Sequence, residues 1–123
     1  MQTLNGHTDS ICVVATLADG RLVTGSGDMT VKLWDLTTER CVQTLHGHTQ
    51  WVSAVTALAD GRLATGSHDK TVKLWDLTTG QCLQTLHGHS DWVYAITALA
   101  DGRLATASGD KTVKLWDQAT MTI

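Results

Sequence analysis

The sequence predicts an all-β protein made of three copies of one antiparallel unit. The pairs Gly-His and Trp-Asp each occur three times in register, 41 residues apart, which is typical of an array of one supersecondary unit. Short runs of β-branched and apolar residues alternate with turns rich in Gly, Asp and Thr, which favours strands. Helical periodicity is absent from all three copies, so no helix is expected.

The middle copy shows four predicted strands in order. Trp51 to Leu58 is the first run, and the turn Ala59-Asp60-Gly61 follows it. Leu63 to Ser67 is the second run, Thr71 to Trp75 the third, and Cys82 to Leu86 the fourth. Four short strands joined by tight turns predict an antiparallel meander. Because the second run has no polar face suited to water, we expect it to be buried on both sides.

Composition narrows the class of protein. Of the 123 residues, 42% are hydrophobic and 17% charged, which is enough apolar content to exclude disorder. The net charge of −3 comes without a basic cluster, so no nucleic-acid partner is expected. No apolar run approaches the roughly 18 residues of a membrane span. Three cysteines without a C-x-x-C pattern give no disulfide framework. We therefore expect a cytoplasmic protein with no membrane partner and no cofactor.

The Gly-His and Trp-Asp pairs at this spacing resemble the WD-repeat β-propeller family, and the resemblance covers the whole chain. It implies three repeats, 1–41, 42–82 and 83–123, each a four-stranded blade placed radially around a central channel. It also implies a buried, hydrogen-bonded tetrad in every blade. The matching residues are His7, Ser26, Asp28 and Trp34; His48, Ser67, Asp69 and Trp75; and His89, Ser108, Asp110 and Trp116.

The chemistry of the implied tetrad is consistent with burial. An indole N–H can only donate, a serine hydroxyl can accept from it and donate to histidine, and the other ring nitrogen can donate to aspartate. A hydrolase triad is the competing interpretation of His, Ser and Asp. It needs an exposed serine and an oxyanion site, and no G-x-S-x-G elbow is present. We therefore predict a structural role and no enzyme activity.

Metal binding is a weaker hypothesis. His46 and His48 lie two apart, with Cys41 upstream, and His87, His89 and Cys82 repeat this pattern. The cysteine lies about five residues from the first histidine, which is more than about 15 Å along a strand. We therefore predict no metal site.

Three blades are too few to close a ring, because propellers typically have about 4–8 blades. We therefore expect the ring to close by homo-oligomerisation, with the segment Gln2, Thr3 and Leu4 completing the last blade of the next chain. Two chains give six blades and three chains give nine. The bulk of Tyr94 and of the first-strand Val and Ile residues near the axis favours the wider ring, so a homotrimer is preferred over a homodimer.

Positions that differ between copies are candidates for function. Trp51 and Trp92 align with a serine, Tyr94 aligns with serine and cysteine, and His68 aligns with two glycines. By resemblance these columns belong to the upper face of a propeller. Exposed aromatic residues are good interface anchors, which predicts a partner-binding face. Packing of both tryptophans against the loops of the adjacent blade is the alternative.

The predicted function is therefore a non-enzymatic scaffold for protein binding that self-assembles into a ring. The alternative is a purely structural repeat unit, or a fragment of a longer propeller with no partner of its own.

Overall fold

The computed structural model describes residues 2–117, and every regular element within them is a β-strand. The all-β prediction is therefore confirmed for this part of the chain. The strands are β1 (Ile11–Thr16), β2 (Leu22–Ser26), β3 (Val31–Asp35), β4 (Arg40–Leu45), β5 (Val52–Ala57), β6 (Leu63–Ser67), β7 (Val72–Asp76), β8 (Gln81–Leu86), β9 (Val93–Ala98), β10 (Leu104–Ser108) and β11 (Val113–Trp116).

These strands form three antiparallel sheets, which we call blades 1, 2 and 3. Blade 1 has the order β1-β2-β3-β4, blade 2 the order β5-β6-β7-β8, and the described part of blade 3 the order β9-β10-β11. The sequence predicts that the last copy reaches its fourth strand only at 118–123, and these residues lie outside the described part of the chain. Each blade is a meander of sequence neighbours, as the tight turns predict.

The first strands of neighbouring blades contact each other, β1 with β5 and β5 with β9, so they form the inner side of an arc. Each first strand has a register irregularity near its beginning, for example between Val52 and Ala54. This irregularity frees Ser53 from the ladder of its own blade. Its hydroxyl donates instead to the carbonyl of Val93, so blades 2 and 3 are hydrogen-bonded at their inner strands.

The apolar core lies between the blades. Blade 1 contributes Val31 and Leu33 to a cluster with Val52 and Leu63 of blade 2, and all four are 0% exposed. A second cluster joins blade 2 to Val93 and Leu104 of blade 3. Sheets stack face to face when each buries the apolar side of the other, which is the arrangement here. The strand Leu63–Ser67 of the middle blade is buried along its whole length, as predicted from its composition.

Tight contact between blades depends on glycine in the second strand. A methyl group built on Gly66 would lie only 2.7 Å from Val93 Cγ1 in the next blade, and Gly25 has the same relation to Val52. Such distances are shorter than van der Waals contact, so glycine lets the first strand of the next blade approach closely. Blade 3 has Ala107 at this position.

The segment Gln2, Thr3 and Leu4 forms no strand in the single chain. Gln2 and Thr3 are exposed, and Leu4 is half-buried. The nearby Gly6 packs against the Trp34 indole, where a methyl group would lie 3.0 Å from Cη2. The pairing of this segment with another copy therefore stays a prediction.

We predict that truncating the interface between blades destabilises the fold strongly. Leu74 is 0% exposed in the second cluster, so Leu74→Ala should lower the free energy of unfolding by about 2–5 kcal/mol. Val42, which is 51% exposed on β4, provides the control, and Val42→Ala should change it by less than about 0.5 kcal/mol. Chemical denaturation measures both values. Equal losses for the two variants would contradict the assignment of the core to the space between blades.

Candidate functional site

A buried chain of hydrogen bonds crosses each blade. In blade 1 the Trp34 indole N–H donates to Thr24 Oγ1 at 2.9 Å, and this hydroxyl lies 2.6 Å from His7 Nε2. On the other side of the ring, His7 Nδ1 lies 2.8 Å from Asp28 Oδ2. An indole only donates and a carboxylate only accepts. A neutral histidine with its hydrogen on Nδ1 therefore satisfies every member, with the threonine hydroxyl donating to Nε2.

Blades 2 and 3 repeat this chain closely. In blade 2, Trp75 donates to Thr65 at 2.8 Å, and His48 lies 2.7 Å from Thr65 and 2.8 Å from Asp69. In blade 3 the corresponding distances for Trp116, Thr106, His89 and Asp110 are 3.0, 2.7 and 2.9 Å. The structure therefore brings together the predicted His, Asp and Trp in all three blades.

The prediction of serine as the bridging hydroxyl is wrong. Ser26, Ser67 and Ser108 lie outside the hydrogen-bond chain, and Thr24, Thr65 and Thr106 take their place. The register explains the difference. In blade 1, Trp34 pairs with Leu22, so its indole reaches Thr24, the diagonal neighbour on the same face. Ser26 lies two residues further along the strand, so the Trp34 indole does not reach its hydroxyl.

The serines hold the upper loops instead. Ser67 Oγ donates to the Trp51 carbonyl at 2.8 Å and accepts from the Asp69 backbone N–H at 3.0 Å. Ser26 makes the same pair of bonds to Ser10 and Asp28. The His68 N–H also donates to the Trp51 carbonyl at 2.9 Å. The second strand of a blade thereby fixes the start of its first strand, where Trp51 stands.

The aspartates are held in place by more donors than sequence reasoning identified. Asp69 Oδ1 accepts from the Thr71 hydroxyl at 2.6 Å and from the Thr71 N–H at 2.9 Å, while Oδ2 also accepts from the Thr49 N–H. Thr30 and Thr112 do the same in the other blades. The spacing Asp-x-Thr after the second strand is the signal in the sequence that could have identified these threonines.

These donors lower the pKa values of all three aspartates. Burial by itself raises the pKa of Asp69, but the hydrogen bonds from His48 and Thr71 outweigh it and hold the pKa well below its usual range. Burial also raises the pKa of Asp28, and the hydrogen bonds from Thr30 and His7 outweigh it and lower the pKa. The Thr112 hydroxyl is the main cause of the lowered pKa of Asp110.

The four residues of the predicted partner-binding face form one continuous row of rings, which we call the aromatic row. The rings of Trp51 and His68 are 5.6 Å apart between centroids, those of His68 and Trp92 are 4.3 Å apart, and those of Trp92 and Tyr94 are 5.5 Å apart. The row crosses from blade 2 to blade 3 because His68 and Trp92 lie on different blades. Trp51, Trp92 and Tyr94 are 45%, 38% and 48% exposed.

The aromatic row both packs on neighbouring blades and faces solvent. Trp51 covers Gly27 of blade 1, where a methyl group would lie 3.2 Å from Cε2 of the indole. Trp92 contacts His68 of blade 2 and covers Gly109 of its own blade. The packing that we considered as an alternative is therefore present, and Trp51 and Trp92 are still 45% and 38% exposed.

The three serines of the predicted tetrads are inaccessible, and no metal cluster is present among residues 2–117. Ser26 and Ser67 are 0% exposed and Ser108 is 2% exposed, so a substrate does not reach their hydroxyls. No group of three or more His, Cys, Asp and Glu within these residues has the geometry to hold a metal ion. Within the same residues, no helix is long and apolar enough to cross a membrane.

We predict that Thr65→Val destabilises the protein although it preserves shape. The variant leaves the Trp75 N–H and one His48 nitrogen without partners, which should cost about 1–3 kcal/mol per buried group. Thr38 is exposed in a turn, so Thr38→Val should have little effect. Chemical denaturation measures the loss of stability, and the Trp75 indole N–H resonance reports the loss of its hydrogen bond. An unshifted indole resonance in Thr65→Val would contradict the hydrogen-bond assignment.

The lowered pKa values predict a loss of stability in acid. An unfolded aspartate titrates near pH 3.9, and the folded tetrad aspartates titrate lower. Their contribution is therefore complete above about pH 4 and is lost as pH falls through the folded pKa values. Denaturation midpoints measured from pH 6 to pH 2 should fall steeply below about pH 4. Asp69→Asn should make this fall shallower, and an unchanged slope would contradict the assignment.

Comparison with known proteins agrees with this geometry. The chain matches the WD40 family (WD domain, G-beta repeat) three times, at residues 1–35, 39–76 and 80–117. The WD40 β-propeller domain of Doa1 superposes with a TM-score of 0.86 at 25% identity, over 91% of this chain and 38% of that one.

Curated relatives match over single repeats. The Notchless protein homolog of Arabidopsis thaliana is 51% identical over 39 residues, which are 31% of this chain and 8% of that protein. Mitochondrial division protein 1 of Schizosaccharomyces pombe is 42% identical over 40 residues, 32% of this chain and 6% of that protein. The matched segments thus span less than a tenth of these relatives. Since the family match extends over all three blades, the chain belongs to the WD40-repeat family.

Proposed function

We propose that this protein is a non-enzymatic scaffold for protein binding that closes into a ring with further copies of itself. The observation that carries the proposal is a difference in burial between equivalent residues. Apolar side chains that are fully buried between blades are exposed on the two outer faces of the arc. Exposed apolar surface of this kind marks an interface.

The outer face of blade 3 is one half of the proposed interface. Val113 and Leu115 are 68% and 55% exposed, whereas the corresponding Val72 and Leu74 of blade 2 are both 0% exposed. A shallow apolar depression with a cavity volume of about 240 Å³ lies on the same blade, lined by Ile96, Ala107 and Val113 among others. In blades 1 and 2, the residues at these positions cover the next blade.

The outer face of blade 1 is the other half. Ile11 and Val14 are 49% and 57% exposed, whereas the corresponding Val52 and Val55 of blade 2 are 0% and 8% exposed. Blade 1 therefore exposes the surface that blade 2 packs against blade 1 and that blade 3 packs against blade 2. Because the two outer faces differ, contact between copies is head to tail, and a head-to-tail contact forms a ring when its rotation closes.

A second copy is the occupant that the internal repeat favours. The interface between blades is already made twice within the chain, by residues of the same types at the same positions. Ala107 introduces one difference, since Gly25 and Gly66 make the closest approach to the next blade at this position. The junction between copies must therefore be slightly wider there than the junctions within a chain.

The pairing of β11 follows from the repeat. In blade 1, β3 pairs with β4 through Val31 with Leu45, Lys32 with Thr44 and Leu33 with Gln43. The same register at the junction pairs Val113, Lys114 and Leu115 with Leu4, Thr3 and Gln2 of the next copy. This pairing would cover the edge of β11, and an uncovered edge invites aggregation. A homotrimer of nine blades is the preferred ring because Tyr94 and neighbouring bulk lie on the inner strands, and a homodimer of six is the other.

The aromatic row is the proposed partner-binding face of this ring. Its aromatic rings are large, rigid and partly exposed, and such residues contribute most of the binding energy at interfaces. The three cysteines are exposed free thiols, which suits the proposed cytoplasmic location. The purely structural alternative is favoured by the close similarity of the three copies, since a specialised face needs differing loops.

We predict that a charge on the outer face of blade 3 prevents assembly. Light scattering should give the unmodified protein a mass two or three times 13.2 kDa, and Leu115→Asp should reduce it to 13.2 kDa. Val42→Asp places the same charge on the exposed outer strand β4 and should keep the assembled mass. A folded, unmodified protein of 13.2 kDa at all concentrations would contradict self-assembly and favour a fragment of a longer propeller.

A further inference from the structure

Two carboxylates lie beside the aromatic row, and each has one oxygen committed to the backbone. Asp9 Oδ1 accepts from the Ser10 N–H at 2.6 Å, and Asp91 Oδ1 accepts from the Trp92 N–H at 2.7 Å. The second oxygen of each lies over a glycine. A methyl group built on Gly27 would be 3.2 Å from Asp9 Oδ2, and one on Gly109 would be 3.1 Å from Asp91 Oδ2.

The junction between blades 1 and 2 brings a carboxylate and an indole together. The same methyl position on Gly27 lies 3.2 Å from Trp51 Cε2, so Asp9 and Trp51 lie close together over one glycine. Asp9 belongs to blade 1 and Trp51 to blade 2. Trp51 is 45% exposed and Asp9 is also exposed, so both are open to a ligand.

The turn that contributes Gly27 to this junction differs in charge from the equivalent turns of blades 2 and 3. Met29 stands in the turn of blade 1 with φ of 73°, where Lys70 and Lys111 stand in blades 2 and 3 with φ of 75° and 72°. The backbone is therefore the same in all three turns, while the ammonium group is missing from the first. The turn that contains Gly27 thus carries no ammonium group, whereas the equivalent turns of blades 2 and 3 each carry one.

Among the described residues, only the Gly27 turn combines a carboxylate and an indole with the absence of a lysine. Between blades 2 and 3, Gln50 replaces the aspartate and His68 replaces the glycine. At Gly109, Asp91 and Trp92 also lie over one glycine, but both belong to blade 3 and Lys111 stands in the turn, while the residue equivalent to Trp51 in the next copy is Ser10. A ring of identical chains would therefore present one such site for each chain.

We propose that Asp9 and Trp51 form a binding site for an arginine side chain of a partner protein. A guanidinium group is planar, stacks on an indole face and donates N–H bonds to a carboxylate at the same time. Lysine offers a point charge without the planar stacking surface, so it should bind more weakly. This inference rests on the proposed role of the aromatic row as a partner-binding face, and it names the chemistry of the partner.

The test is a titration followed through the tryptophan indole N–H resonances. The probe is the peptide acetyl-Gly-Arg-Gly-amide, and the control is the same peptide with citrulline, which has nearly the same shape and no charge. We expect the arginine peptide to shift the Trp51 resonance in a saturable way, with a lysine peptide weaker and the citrulline peptide ineffective. Saturation should require one peptide per chain. Equal shifts with citrulline would overturn the proposal.

Two variants locate the site. Asp9→Asn should weaken binding by about fivefold or more because it removes the charge that the guanidinium meets. Met29→Lys restores the residue that blades 2 and 3 have at the same backbone conformation, so it should fold normally and also weaken binding. Asp91→Asn is the matched control and should leave the Trp51 titration unchanged. Loss of binding in Asp91→Asn but not in Asp9→Asn would overturn the assignment.

The same samples separate this inference from the proposed assembly. Light scattering measures the mass of each variant, which should stay that of the unmodified protein. An assembled protein whose Trp51 resonance ignores the arginine peptide would overturn the arginine site and leave the ring intact. A single chain of 13.2 kDa that still binds the peptide would overturn the ring and leave the site intact.

Discussion

The structure depends on one constraint, which is that a blade has two apolar faces and cannot bury either by itself. The middle blade satisfies the constraint on both sides, and its second strand is buried along its whole length. The outer blades satisfy it on one side each. Stability in such arrays comes from neighbouring units, so the contact between blades decides both the fold of the chain and its assembly.

The hydrogen-bond chain in each blade serves this contact. It joins the loop before the blade to the second and third strands through Trp, Thr and His, and it ends on an aspartate that holds the next turn. The serine two residues after the threonine then fixes the carbonyl at the start of the first strand. Residues such as Trp51 and His68 are thereby presented from a rigid frame, which reduces the entropy that binding would cost.

Much of the fold could be predicted from the sequence because every strand is seen three times. The four strands of the middle copy lie within a residue or two of their expected bounds. The bridging hydroxyl could not be chosen because Thr65 and Ser67 lie on the same face of one strand. Only the register with Trp75 distinguishes them. The exposure of Val113 could not be predicted either, since Val72 has the same place in its repeat and is buried, and the two differ only in what packs around them.

The contacts between the rings of the aromatic row could not be predicted from the sequence either. Variation between copies identified Trp51, His68, Trp92 and Tyr94 as a group, but their order depends on how closely blades 2 and 3 approach. Trp51 lies close to Gly27 and Trp92 close to Gly109, whereas His68 contacts both indoles.

The central claim, that the two outer faces meet between copies, is tested most directly by a disulfide across the junction. Within the chain, a methyl group on Gly66 would lie 3.2 Å from Val93 Cβ, and the corresponding pair at the junction is Ala107 and Ile11 of the next copy. In a chain with its three cysteines replaced by serine, the double variant Ile11→Cys, Ala107→Cys should oxidise to covalent dimers or trimers on a denaturing gel. Each single variant should remain one chain, because the contact is head to tail. A double variant that stays one chain, or single variants that cross-link equally well, would contradict the account.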